Sequence, residues 1–118
     1  MTKAAFTVRA FGYYLLGLGV ILILVPNLLL GLSFMPTTQE VWIRVLGVVV
    51  VNVGVYYIYA AKCEATAFFQ ASVYARIFVL VAFIAFVALG LAPPMLVMFG
   101  VVDVLGGLWT WRALKAAG

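Results

Sequence analysis

The chain has no histidine, a single cysteine and only three acidic residues among its 118. Histidine is the commonest metal ligand and the usual acid–base residue, so its absence weighs against metalloenzymes, haem proteins and His-dependent catalysts. One cysteine excludes an internal disulfide and a cysteine metal cluster. No GxSxG, HExxH, P-loop or dinucleotide motif occurs either. We therefore expect no metal site, no resident cofactor and no catalytic residues.

Charge is also scarce: 8% of the residues are charged, 69% are hydrophobic, and the mean hydropathy is +1.31. Soluble domains are about a quarter charged. A soluble chain this short could not bury so much apolar surface. The seven basic residues form no single patch and lie mostly near the ends of apolar segments, so no nucleic acid partner is expected. The composition predicts an integral membrane protein in contact with membrane lipid.

About 20 apolar residues are needed to cross the hydrocarbon core of a bilayer. Four such segments occur, at residues 6–25, 38–61, 68–89 and 94–114. Thr37 followed by Glu40 has the spacing of a capping box at the start of the second segment. Pro94 suits the first turn of the fourth. The sequence predicts an all-α, polytopic four-helix bundle with 1–118 as a single transmembrane domain. The apolar stretch 26–36 is too short to span and predicts an interfacial segment of one or two helical turns.

The basic residues predict the orientation of the four segments. One side of the predicted bundle holds six of the seven, namely Lys3, Arg9, Lys62, Arg76, Arg112 and Lys115, and Arg44 alone lies on the other side. The positive-inside rule places the first group in the cytoplasm, with both termini. Aromatic belts agree, with Tyr56, Tyr57, Tyr59, Trp109 and Trp111 at the inner face and Trp42 at the outer. We therefore expect a multi-pass protein of the inner (plasma) membrane.

The two halves of the chain resemble each other. A shift of 67 residues matches Arg9 with Arg76 and Pro26 with Pro93, and a shift of 53 matches three further pairs: Gly47 with Gly100, Gly54 with Gly107, and Lys62 with Lys115. Apolar helices share Val and Leu by chance, but the matched Arg, Pro, Gly and Lys residues favour a duplicated helical hairpin. Since both hairpins would enter from the cytoplasm, the repeat would be parallel, with a pseudo-twofold axis along the membrane normal.

Charged and polar residues inside a membrane are costly and call for an explanation. Asp103 is expected about nine residues into the fourth segment, or ~14 Å at 1.5 Å per residue, near the midplane. Its candidate partners are Asn52, Arg44 and Arg76. Two interpretations stay open: a proton- or substrate-linked acid in a small cavity, or an Asp–Arg or Asp–Asn pair that locks helices together.

The arginines have simpler explanations. Arg9 and Arg76, near the inner interface, are expected to extend toward lipid phosphate, with anion or headgroup binding as the alternative. Arg44 forms either a local helix pair with Glu40, four residues earlier, or an ion pair with Asp103. Four glycines are expected to allow close helix packing, namely Gly47, Gly54, Gly100 and Gly107.

The segment from Arg9 to Gly12, followed by Leu15, Leu16, Gly17, Leu18 and Gly19, resembles the first helix of DoxX-like and related small four-helix bacterial membrane proteins. The resemblance covers the architecture of most of the chain and transfers no site residue. It implies a bacterial membrane protein, in a family associated with quinone-linked redox complexes and accessory membrane roles.

Two functions remain in view. The first is a structural or accessory membrane subunit that works through helix packing with itself, as a homo-oligomer, or with a larger membrane-protein partner. The second is a small oligomeric transporter or channel that uses Asp103, Asn52 and Arg44. An enzyme acting on a lipid or quinone is least favoured, because histidine is absent and acids are few.

Overall fold

The structure, a computed structural model, describes residues 1–117 and is helical with no strand in that range. Its five helices are α1 (Lys3–Leu24), α2 (Pro26–Leu32), α3 (Trp42–Lys62), α4 (Thr66–Ala88) and α5 (Leu96–Ala117). All but α2 are long and apolar enough to cross a membrane. The prediction of an all-α protein with four membrane-length helices is confirmed.

The start of α3 differs from the prediction. The helix begins at Trp42, and its cap residue Val41 makes no side-chain capping hydrogen bond. The capping box is therefore wrong. The Thr38 hydroxyl instead accepts from the Glu40 amide at 3.1 Å, and the Thr38 amide donates to Asn27 Oδ1 at 2.9 Å. These bonds hold the segment before α3 against the start of α2, so that it does not join the helix.

The short helix α2 lies in the predicted non-spanning stretch. Pro26 occupies its first turn, where a proline costs no intrahelical hydrogen bond. Phe34, with φ of 56°, ends the segment in the left-handed region, and the Met35 amide donates to the Leu30 carbonyl at 2.8 Å. Pro26 and Leu30 are buried. The helical turns expected between the first two spans are therefore present.

Helices α1 and α3 pack as an antiparallel pair through two pairs of glycines. A Cβ on Gly12 would lie 3.0 Å from the Gly54 carbonyl oxygen, and a Cβ on Gly54 would lie 2.9 Å from that of Gly12. Gly19 and Gly47 face each other in the same way, at 2.8 Å in both directions. Each helix thus presents two glycines seven residues apart, and the missing side chains let the two backbones touch.

The second hairpin, α4 and α5, packs in a looser way. Gly100 lies against Leu80 and Phe83, where a Cβ would come within 3.0 Å and 3.3 Å of their nearest atoms. Gly107 lies against Arg76, and its Cβ would be 3.6 Å from the Arg76 Cβ. The four glycines named from the sequence therefore all lie at helix contacts, but only those of α3 meet glycines.

Helix α1 is the centre of the bundle, since it packs along α3 and also contacts α5. A pseudo-twofold axis between the two hairpins would exchange α1 with α4 and α3 with α5. The contact of α4 with α3 would then be as close as that of α1 with α5. The α3–α4 contact is much smaller and includes the Tyr57 ring against Phe68 at 5.1 Å. The described helices therefore do not pack with the predicted twofold symmetry. The duplication stays a prediction from the sequence.

Candidate functional site

Among the described residues, the interior of the bundle contains one fully enclosed charge, Arg76, which is only 2% exposed. The expectation that Arg76 extends to the inner interface is wrong. Its Nη2 donates to Ser72 Oγ at 2.7 Å and to Thr110 Oγ1 at 3.3 Å, and its Nε donates to the Ser72 carbonyl at 3.2 Å. These acceptors on α4 and α5 replace the water that a guanidinium would otherwise require, so the side chain stays inside.

Two aromatic rings complete the enclosure of this guanidinium. Arg76 Cζ lies 4.6 Å from the centre of the Phe11 ring and 5.3 Å from the centre of the Tyr57 ring. Both distances are within the range of a cation–π contact. Tyr57 is itself buried, so its assignment to the inner aromatic belt is wrong. One charge from α4 is thus held between side chains of α1 and α3.

Space for the guanidinium comes from a pair of glycines on α5. A Cβ on Gly106 would lie 3.2 Å from Arg76 Nη1 and 2.8 Å from Phe11 Cδ2. The neighbouring Gly107 leaves ordinary contact distance to the Arg76 stem. A larger residue at position 106 would collide with both neighbours, so the arginine and the glycine depend on each other. Gly106 is not among the residues predicted from the sequence.

A chain of hydroxyls connects Arg76 to α1. Thr7 Oγ1 donates to the Ala4 carbonyl at 2.7 Å and lies 2.8 Å from Thr110 Oγ1. Either hydroxyl can supply the proton between Thr7 and Thr110, and Thr110 Oγ1 also accepts from Arg76 Nη2. Thr110 also lies 3.2 Å from the Gly106 carbonyl. Both threonines are buried, and the chain ties α4, α5 and α1 together.

Asp103 lies on the same side of α5 as Gly106 and Thr110, three and seven residues away, and is half-buried. Its carboxylate is within electrostatic range of Arg76 and of the Tyr14 and Tyr57 hydroxyls. Within residues 1–117 the two charges make no contact of 4.0 Å or less, and Arg76 Nη1 is buried without a hydrogen-bond partner. Of the three partners proposed for Asp103, Arg76 is therefore the one within electrostatic range of it in the described residues.

Arg44 and Asn52 lie elsewhere. Arg44 Nη1 donates to the Ile23 carbonyl and lies 3.5 Å from that of Leu24, so it caps the last turn of α1. The two pairings predicted for Arg44, with Glu40 or with Asp103, are both wrong. Asn52 is exposed at the middle of α3, and its side-chain amide makes no hydrogen bond with another described residue. Asp103, Asn52 and Arg44 thus do not line one path within a single copy of the described chain.

Arg9 differs from its repeat partner Arg76. It is partly exposed, with its guanidinium 6.0 Å from the centre of the Tyr13 ring. The different surroundings follow from the neighbours, since Arg76 has a serine one turn earlier and Arg9 has Ala5 in that place. Among the described residues, no three His, Cys, Asp or Glu side chains come together as a metal-binding group.

Comparison of the chain with family models, with curated proteins and with solved structures finds no match. What the chain does must therefore be argued from its own residues. Two features bear on function: the enclosed cluster around Arg76 and Asp103, and the exposed amide of Asn52.

Proposed function

We propose that this protein is a structural or accessory membrane subunit that works by helix packing, with itself or with another membrane protein. The observation that carries the proposal is the exposed amide of Asn52, halfway along a membrane-length helix. Lipid tails offer an amide no hydrogen bond, and polar side chains on membrane helices accordingly pair across helix contacts. An amide on the outer surface therefore favours a second helix against that surface.

The rest of the outer surface supports this interpretation by contrast. Across residues 1–117, the exposed middle turns of α1, α4 and α5 carry apolar or small side chains, apart from the amphipathic rings of Tyr13 and Tyr74. The buried polar residues, namely Arg76, Ser72, Thr110 and Thr7, are joined by hydrogen bonds. Asn52 is thus the side-chain amide that a single copy leaves exposed in the middle of a membrane-length helix.

The proposal includes a location in the plasma membrane with both termini in the cytoplasm, which rests on the six basic residues on one side. Cys63 tests it, because the thiol is free and exposed just after the end of α3. A membrane-impermeant maleimide should leave Cys63 unlabelled in intact cells and label it after the membrane is opened. Labelling in intact cells would overturn the proposed orientation.

Native mass spectrometry in mild detergent tests the assembly role. The wild-type chain should be extracted and detected as a complex with itself or with a partner. The Asn52→Val variant should no longer be detected in that complex. Leu105→Val changes an exposed residue in the middle of α5 and serves as the matched control. A monomeric wild type, or a complex that Asn52→Val leaves intact, would contradict the proposal.

A second candidate function rests on Arg76 Nη1, which is buried without a partner while Asp103 lies within electrostatic range. This arrangement favours a small transporter in which the Asp103 carboxylate takes up and releases a proton or the permanently charged Arg76 guanidinium binds an anion. That function predicts solute-dependent flux in proteoliposomes, lost in a correctly folded Asp103→Asn variant. If the wild type carries no proton, anion or small-solute flux, the transporter candidate is excluded.

A further inference from the structure

Helix α3 has two heptad-spaced faces, and the bundle uses only one. The face toward α1 contains Gly47, Gly54 and Ala61, which are buried at seven-residue intervals. The opposite face, here called the Asn52 face, contains exposed residues at alternating intervals of three and four: Val45, Val48, Asn52, Val55 and Tyr59. Val45, Asn52 and Tyr59 are offset from the buried set by two residues, or about 200° at 100° per residue, and Val48 and Val55 by one residue, or about 100°. The exposed set therefore lies on the side of the helix away from α1.

From this face we infer that α3 forms a parallel two-helix contact with α3 of a second copy of this chain, with Asn52 meeting Asn52 on the twofold axis. The inference rests on the proposed function and names the partner. Alternating intervals of three and four are the spacing of a coiled-coil seam, in which Asn52 takes an a position and Val48 and Val55 take d positions. Membrane helix pairs commonly use the same left-handed geometry.

The chemistry of the amide selects a second copy as the partner. An asparagine side chain both donates and accepts, so two asparagines related by a twofold axis satisfy each other. A symmetric contact places each residue near its own copy, and the middle of the helix is the depth at which Asn52 of both copies coincides. A single asparagine at an a position also fixes the register of a parallel pair.

The apolar residues on either side of Asn52 fit the same contact. Val45, on its outer side, is at an a position, where β-branched side chains favour two-stranded seams. Val48 on the outer side and Val55 on the inner side add apolar contact at the d positions. Tyr59 closes the inner end, near the predicted cytoplasmic interface. In the dimer each α3 would be enclosed between α1 of its own copy and α3 of the other.

Disulfide trapping in membranes tests the inference on the full-length chain. With Cys63→Ser as the background, Val48→Cys and Val55→Cys should each give dimers on mild oxidation, because both d positions face their own copies. Leu105→Cys, exposed in the middle of α5, should give at least about tenfold less dimer, since collisions in the membrane are its only route. Adding Asn52→Val should weaken association about 5- to 30-fold, the cost of an interhelical polar contact in membranes.

The outcomes separate this inference from the function it rests on. If Val48→Cys and Val55→Cys trap no more dimer than Leu105→Cys, the second-copy contact is overturned. If Asn52→Val nevertheless removes the wild-type complex seen by native mass spectrometry, another partner covers the Asn52 face and the assembly role stands. If the wild type is a monomer by that measurement, both are overturned.

Discussion

Gly19 of α1 and Gly47 of α3 lie face to face, so that a Cβ on either would come 2.8 Å from the carbonyl oxygen of the other. Real Cβ atoms do not approach backbone oxygens so closely, and backbone cannot move aside as a flexible side chain can. Together with Gly12 and Gly54, seven residues away on each helix, this pair fixes the distance and the register of α1 on α3. The other helices pack against this pair of helices.

Gly19→Ala should force α1 and α3 apart and lower the free energy of unfolding by about 1–3 kcal/mol, the usual cost of overpacking. Gly17→Ala is the matched control, because a Cβ at Gly17 meets nothing within 4 Å. Reversible unfolding in mixed detergent micelles measures both. Equal stability of the two variants would show that the glycine contact does not hold the pair together.

Arg76→Lys should destabilise the bundle by about 1–3 kcal/mol, because an ammonium cannot reproduce the guanidinium fork and leaves buried acceptors unsatisfied. Arg9→Lys is the control that the sequence repeat supplies. Arg9 is partly exposed and its guanidinium lies 6.0 Å from the centre of the Tyr13 ring, so its replacement should lower the free energy of unfolding by less than about 1 kcal/mol. Unfolding free energies of the two variants should therefore differ, and similar small losses would contradict the enclosed site.

Arg44→Gln should lower the free energy of unfolding, because it removes the cap from the carbonyls of Ile23 and Leu24. The expected loss is about 0.3–1 kcal/mol, which is what a cation at the end of a helix contributes. The structure separates Arg44 from Asp103, so the effects of Arg44→Gln and Asp103→Asn should add within about 0.5 kcal/mol. A double-mutant cycle measures the coupling. A larger coupling energy would indicate that Arg44 and Asp103 form the ion pair predicted from the sequence.

The first turn of α1 should loosen in acid. The Thr2 hydroxyl donates to Glu64 Oε1 at 2.7 Å and the Thr2 amide donates to Oε2 at 3.2 Å. The hydroxyl bond, followed by the amide bond and the positive N-terminus, lowers the pKa of the exposed Glu64 carboxyl below its ordinary value of 4.5. Since the folded-state pKa is the lower one, the contact adds stability above pH 4.5, which is lost as the pH falls through the folded-state value.

Hydrogen exchange checks the acid effect. Protection of the amides in the first turn of α1 should decrease on acidification below pH 4.5 in the wild type. The Glu64→Gln variant should show the lower protection with little dependence on pH. Protection that falls equally with pH in both proteins would mean that Glu64 does not hold the N-terminus.

The length of the apolar segments predicted the four long helices, since a run of about 20 apolar residues is typical of a membrane-spanning helix. Side-chain direction could not be predicted in the same way, because every face of such a helix is apolar. The sequence therefore placed Arg76 and Tyr57 at the interface, whereas α5 makes room for the guanidinium at Gly106 and both side chains lie inside.

The capping of α1 by Arg44 was missed for a related reason, since its acceptors are backbone carbonyls, which no residue type reveals. A serine four residues before Arg76 and the Gly106–Gly107 pair beside Thr110 were signals that could have indicated the buried cluster. Asn52 was recognised as a costly residue, but its outward direction depends on the Gly47–Gly54 face packing on α1.

Energy transfer between labelled copies in lipid vesicles tests the central claim, association through the Asn52 face, most directly. The single exposed cysteine, Cys63, carries the donor in one population and the acceptor in the other. We expect transfer in the wild type that survives dilution with lipid, is preserved in Leu105→Val and is weakened in Asn52→Val. Transfer that disappears on dilution of the wild type, or that Asn52→Val leaves unchanged, would contradict it.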